Sequence, residues 1–119
     1  MRHDDRVYVA HMIEFAHKAH VRVADRQRQE LDSDENLQLQ LYALIERIGE
    51  AASRVTPEFR AQHADIQWQD IVGMRHKLIH EYFRIDLDVV WAVATVDAPR
   101  LVESLSPLVP EDWLERALG

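Results

Sequence analysis

Six apolar residues, Leu37, Leu41, Leu44, Ile48, Ala51 and Val55, recur along the chain at alternating steps of four and three. On an α-helix that spacing gathers them into one stripe, and a stripe of this kind must be buried against other helices. The 119 residues include only three glycines and four prolines, too few for the many tight turns of a sandwich or barrel. An all-α fold is the expectation.

The flanking segments read the same way. Asp4 and Asp5 precede a helical pattern from about Arg6 to Gln27, with acids at the positive end of the helix dipole. Its apolar positions are Val7, Ala10, Ile13, Phe15, Ala16, Ala19 and Val23. The run RQRQELDSDEN is expected to be a polar connection, with Ser33 or Asp34 capping the Leu37–Val55 helix. Thr56-Pro57 ends that helix and starts a short helical turn. A further helix is expected from about 65–67 to Tyr82 or Phe83, weakened at Gly73 unless another backbone approaches closely there. Asp86 is placed to cap a last long pattern in which Pro99 forces a kink, and Pro107 and Pro110 close it. The expected architecture is one domain over residues 1–119, an up-and-down bundle of four to five helices with a short tail at 110–119.

Charge and composition limit the functions open to such a bundle. A net charge of −7 does not suit broad wrapping of nucleic acid, so any such contact needs a local basic patch. The chain has no cysteine, hence no thiolate nucleophile and no thiolate metal site. No apolar run approaches a membrane span, and the N-terminus lacks the apolar core of a signal peptide. A cytoplasmic location, with no membrane partner, is the default reading.

Metal and serine chemistry find little support. Glu14, His17 and His20 give a single Glu-x-x-His, whereas a di-iron bundle needs two such motifs and further glutamates. His76 and His80 share a helical face, but the residues between them include no glutamate of the zincin type. Ser33, Ser53, Ser104 and Ser106 lack a glycine-flanked elbow, and their positions suit caps and solvent faces. No metal and no cofactor is expected.

The segment 70–84, DIVGMRHKLIHEYFR, concentrates titratable groups. Between Met74 and Arg84, three fixed cations (Arg75, Lys77, Arg84) stand against Glu81 in an otherwise acidic chain. Such a patch suits an anion, with RNA phosphate the obvious candidate. It equally suits a solvated basic helix face with His80 near its end, and composition alone leaves both readings open.

In Arg75-His76-x3-His80-x-Tyr82, the segment resembles the signature of the HEPN superfamily, and the added tyrosine resembles its HepT (DUF86) toxin branch. ERIGEAA at 46–52, Trp68, DIVGMR before the motif and FRIDLDVVW leading out of it fit the same branch. The resemblance implies an all-α homodimer acting as a metal-independent endoribonuclease, the toxin of a type VII toxin–antitoxin pair. It implies a partner too, a minimal nucleotidyltransferase antitoxin (MntA-like) that transfers AMP from ATP to the motif tyrosine. Carried over, Arg75 and His80 are the catalytic pair and Tyr82 the AMP acceptor. The alternative is a catalytically silent HEPN module that binds nucleotide or a nucleotidyltransferase.

These side chains suit RNA cleavage. Histidine titrates near neutrality, so His80 can carry a proton. Arg75 can fork onto two phosphate oxygens and stabilise the charge that develops there. His76 can orient substrate or act as a second proton carrier, Lys77 and Arg84 can hold flanking phosphates, and Glu46 and Glu50 are candidates to orient Arg75. On an ideal helix, at about 100° per residue, Arg75 and His80 point roughly 140° apart. Their cooperation therefore requires either a helix that loosens near His80 or a cleft shared by two subunits, and the second is the favoured expectation.

Overall fold

The computed structural model describes residues 3–79 and 84–119. They form an all-α bundle built on two 19-residue helices, α1 (Asp5–Val23) and α3 (Glu35–Ser53), packed side by side. The stripe is buried throughout, from Leu37 at 3% exposure through Leu41 at 0% and Ile48 at 1% to Val55, just past the end of α3, at 2%. On α1 the inward face is Val9, Met12, Ile13, Ala16, Ala19 and Val23. The expected phase was therefore off at its start, because Val7 is 39% exposed and Val9 takes the core position.

The expected polar connection contains a helix, α2 (Arg28–Ser33). Gln27 and Glu30 cap it reciprocally, and Leu31, at 0% exposure, anchors it in the core beneath α3. Asp34, and not Ser33, caps α3 by accepting the Leu37 N–H at 3.0 Å. Thr56 caps α4 (Pro57–Gln62) through the Phe59 N–H. Thr56 also donates its own N–H and hydroxyl to Asp5 at 2.8 and 2.7 Å, which ties the start of α1 to the end of α3.

The single helix expected from about residue 65 to Tyr82 or Phe83 is instead two short ones, α5 (Trp68–Val72) and α6 (Met74–Lys77), joined at Gly73. Ile79 pairs with Ile85 in an antiparallel bridge, and the Asp86 N–H donates to the Leu78 carbonyl at 2.6 Å. Pairing to this later stretch of chain replaces the next helical turn, so α6 stops before the motif histidine. The angle of roughly 140° between Arg75 and His80 assumed an unbroken helix and does not apply.

The close backbone approach expected at Gly73 is present, since a Cβ on it would lie 3.2 Å from the Gln69 carbonyl oxygen, and a second approach, between helices, occurs at Gly49. A Cβ there would lie 3.3 Å from the Ile71 carbonyl oxygen and 3.4 Å from that of Val72. Glycine lets the end of α5 rest directly on α3, which sets the position of α6.

Asp86 caps α7 (Leu87–Ala92) through the Val89 N–H. A π-helical turn at Val93–Asp97 then leads into α8 (Ala98–Leu105), and the Ala98 N–H donates to the Val93 carbonyl, five residues back. Pro99 has no N–H to offer, and the chain accommodates it by widening one turn. Beyond a 3-10 turn at Ser106–Leu108, α9 (Glu111–Leu118) lies on α1 and buries Ala117. Two apolar clusters, one around Ile13, Ile48 and Leu105 and one around Leu31, Leu41 and Leu78, are bridged by Phe15.

Candidate active site

On α3, Tyr42, Glu46, Gly49 and Ser53 stand at successive steps of four, three and four and share one face. The junction of α5 and α6 rests on Gly49, so α6 starts above this face. A cavity of about 140 Å³ lies between them, lined by Glu46, Gly49, Glu50, Ser53, Val72, Arg75 and His76. Arg75 and His76 are exposed and Glu46 is half-buried. An always-charged fork, an imidazole, two carboxylates and a hydroxyl thus surround one solvent-accessible hollow.

The two carboxylates are not equivalent. Glu50 accepts from Arg54 Nε at 3.2 Å, one turn along α3, and is engaged there. Glu46 faces the half-buried phenol of Tyr42. Burial and the nearby Glu46 carboxylate push that phenol above its ordinary range, and nearby Arg75 opposes them. Tyr42, Glu46 and Arg75 therefore belong to one electrostatic neighbourhood, although Tyr42 lies far from the motif in sequence.

The other basic residues face elsewhere. Lys77 and Arg84 line a separate groove with Arg28, Asp86, Asp88 and Asp97. Lys77 also borders a cleft of about 330 Å³ between α5–α6 and the π turn, floored by Ile48, Ile71 and Leu101 and edged by Asp65, Asp70 and Asp97. Arg75 and His76 are thus brought together over α3, while Lys77 and Arg84 are not part of that cavity. His80 and Tyr82 lie outside the described residues.

Among the described residues, no three histidine, aspartate or glutamate side chains gather to hold a metal ion. On α1, Glu14 pairs with Lys18 at 3.8 Å, and a His20 ring nitrogen lies 3.4 Å from the Ala94 carbonyl oxygen. No helix among them is long and apolar enough to cross a membrane.

Residues 12–108 match the family described as ribonuclease HepT-like. A protein of Methanocaldococcus jannaschii, named as a gamma-glutamylcyclotransferase and provisionally as an RNase, is 32% identical over 111 residues, covering 93% of this chain and 50% of that protein. A protein of Caldanaerobacter subterraneus, provisionally named an RNase, is 35% identical over 68 residues, 57% of this chain and 61% of its own. One of Thermococcus cleftensis, provisionally named ribonuclease HepT, is 37% identical over 68 residues, 57% of this chain and 62% of its own. The matches thus span 50% to 62% of the length of these three relatives. No solved structure matches. With an all-α bundle, the Arg75-His76 pair at an open polar cavity and a match that runs through the whole motif, the chain belongs to the ribonuclease HepT-like family.

Proposed function

We propose that this chain is the toxin of a HepT-type toxin–antitoxin pair, a metal-independent endoribonuclease acting on RNA in the cytoplasm. The observation that carries the reading is the family match over residues 12–108, which contains Arg75, His76, His80 and Tyr82. The placement of Arg75 and His76 at one exposed cavity supports it.

In this mechanism His80 removes the proton of the ribose 2′-hydroxyl, and the 2′-oxygen attacks the adjacent phosphorus. Arg75 binds the non-bridging oxygens as negative charge builds on them. The bond to the 5′-oxygen breaks, that oxygen takes a proton from His76 or water, and a 2′,3′-cyclic phosphate remains on the upstream fragment. Lys77 and Arg84 hold phosphates further along the strand. Two subunits form the working unit, and the support for the dimer is the family alone, since α6 ends at Lys77 and an unbroken helix no longer demands it.

Tyr82 is the acceptor of AMP from a minimal nucleotidyltransferase partner. Its phenol oxygen attacks the α-phosphorus of ATP, pyrophosphate leaves, and the esterified AMP brings bulk and negative charge to the place where RNA phosphate must enter. The test is cleavage of RNA by purified protein in EDTA, with cyclic phosphate ends and loss of activity in Arg75→Ala and His80→Ala. Activity that disappears in EDTA and returns with added metal refutes the mechanism. Coexpression with a minimal nucleotidyltransferase of the antitoxin type should add whole AMP increments to the intact mass, and these should vanish in Tyr82→Phe.

A further inference from the structure

We infer that Glu46 is a positioning residue for Arg75, with one carboxylate edge turned toward the guanidinium. This rests on the proposed ribonuclease reading, because it assigns a role within that site.

Three observations lead to it. Gly49 seats the end of α5 on α3, and so Arg75 emerges over the same cavity that Glu46 and Glu50 line. Of the two carboxylates, Glu50 is engaged by Arg54 at 3.2 Å, whereas Glu46 has no cation within 4 Å among the described residues. Arg75 likewise has no carboxylate within that distance among them. Glu46 is therefore the acceptor on the cavity wall that remains for Arg75.

The chemistry of the guanidinium explains why such a partner matters. Arginine carries five N–H donors along distinct edges of a rigid plane. A carboxylate on one edge fixes the plane and leaves another edge for the oxygens of a phosphate. Without it, an exposed arginine at the start of a four-residue helix samples many rotamers, and the charge meets the phosphate in the wrong geometry. One turn before Glu46 on the same face of α3, Tyr42 packs against the core cluster of Leu41 and Leu78 and gives the site a fixed neighbour.

The variants Glu46→Gln and Glu46→Asp test this, with Arg75→Ala as the reference. Glu46→Gln should lower kcat on the order of a hundredfold, the loss expected of a catalytic group misplaced by about 1 Å. Its KM should move little, and Glu46→Asp should recover part of the rate. Joined to Arg75→Ala, Glu46→Gln should cost nothing more, since both act through one side chain. Titration of the Tyr42 phenol gives a readout free of activity. Glu46→Gln should lower its midpoint and Arg75→Ala should raise it.

Unchanged kcat in Glu46→Gln, beside an inactive Arg75→Ala, overturns the positioning role and leaves the ribonuclease reading standing. Full activity in Arg75→Ala overturns the ribonuclease reading instead. A Tyr42 midpoint that responds to neither substitution also overturns the positioning role.

Discussion

Gly49 links the packing of the bundle to the placement of Arg75, and replacing it should separate stability from activity. A methyl group at this position would sit 3.3 Å from the Ile71 carbonyl oxygen and 3.4 Å from that of Val72, at the tight limit of carbon–oxygen packing. Neither oxygen can retreat freely. Ile71 is buried at 6% exposure, and α5 is tied at its start by the Trp68 indole N–H to the His63 carbonyl at 3.0 Å. Alanine in a helix interior gains about 1 kcal/mol over glycine from backbone propensity. Overpacking a filled contact costs about 1–3 kcal/mol. Gly49→Ala should therefore be destabilised by about 1 kcal/mol net, the difference between the middle of that range and the propensity gain. Gly49→Val, with two further methyls and a stiff χ1, should lose at least about 2 kcal/mol. Urea denaturation monitored by circular dichroism measures this, and both variants should remain folded. RNA cleavage should fall much further than stability, because α5 moves outward and carries Arg75 away from Glu46. If Gly49→Val keeps wild-type stability and wild-type cleavage, the close approach does not set the site.

Three other outcomes are expected of the same structure. Asp5 is partly buried, which alone would push its carboxyl up, but the Thr56 N–H and hydroxyl and the His3 ring hold it below its ordinary value of 3.8. A folded-state value that is depressed contributes stability above the unfolded value and loses it as pH falls. Asp5→Asn should thus be less stable than wild type by about 1.5 kcal/mol at pH 7, and thermal melts should show the gap closing below about pH 4. Leu31 is the one buried residue of α2, so Leu31→Ala should cost about 2–5 kcal/mol, with amide exchange fastest in Arg28–Ser33. Equal protection of α2 in variant and wild type would contradict its anchoring role. Lys77→Ala should reduce the salt dependence of RNA binding by about one unit of slope and leave kcat near wild type, since Lys77 lies outside the Arg75 cavity.

Much of this bundle could be anticipated where information was local. The Leu37–Val55 stripe, a cap at Ser33 or Asp34, the break at Thr56-Pro57 and the Asp86 cap depend on neighbours within a few residues, and all occur, the first cap falling to Asp34. α2 was hidden because six residues with one apolar side chain show no period, and its stability comes from where Leu31 lands. The end of α6 was hidden for a related reason. Leu78 and Ile79 continue a plausible helix, and only the pairing with Ile85 and Asp86 draws them out of it. Pro99 announced a disturbance, but whether a chain kinks or admits a π turn is decided by what packs around it.

The site divides along the same line. Arg75 and His76 were legible from motif spacing, which is local. Tyr42 was not, although its spacing to Glu46, Gly49 and Ser53 already put it on the face of α3 that meets the motif. The informative residue was Gly49, a glycine in the middle of a helix whose other inward positions are large or methyl-bearing. Its cost of about 1 kcal/mol in helix propensity asks for a return in packing. That return is the approach of α5, so the residues flanking Gly49 on the same face become neighbours of the chain just beyond α5, where Arg75 stands. A mid-helix glycine and a catalytic motif placed just beyond a short helix thus predict each other's surroundings, and by this logic the carboxylate one turn before the glycine is the first candidate to hold the arginine.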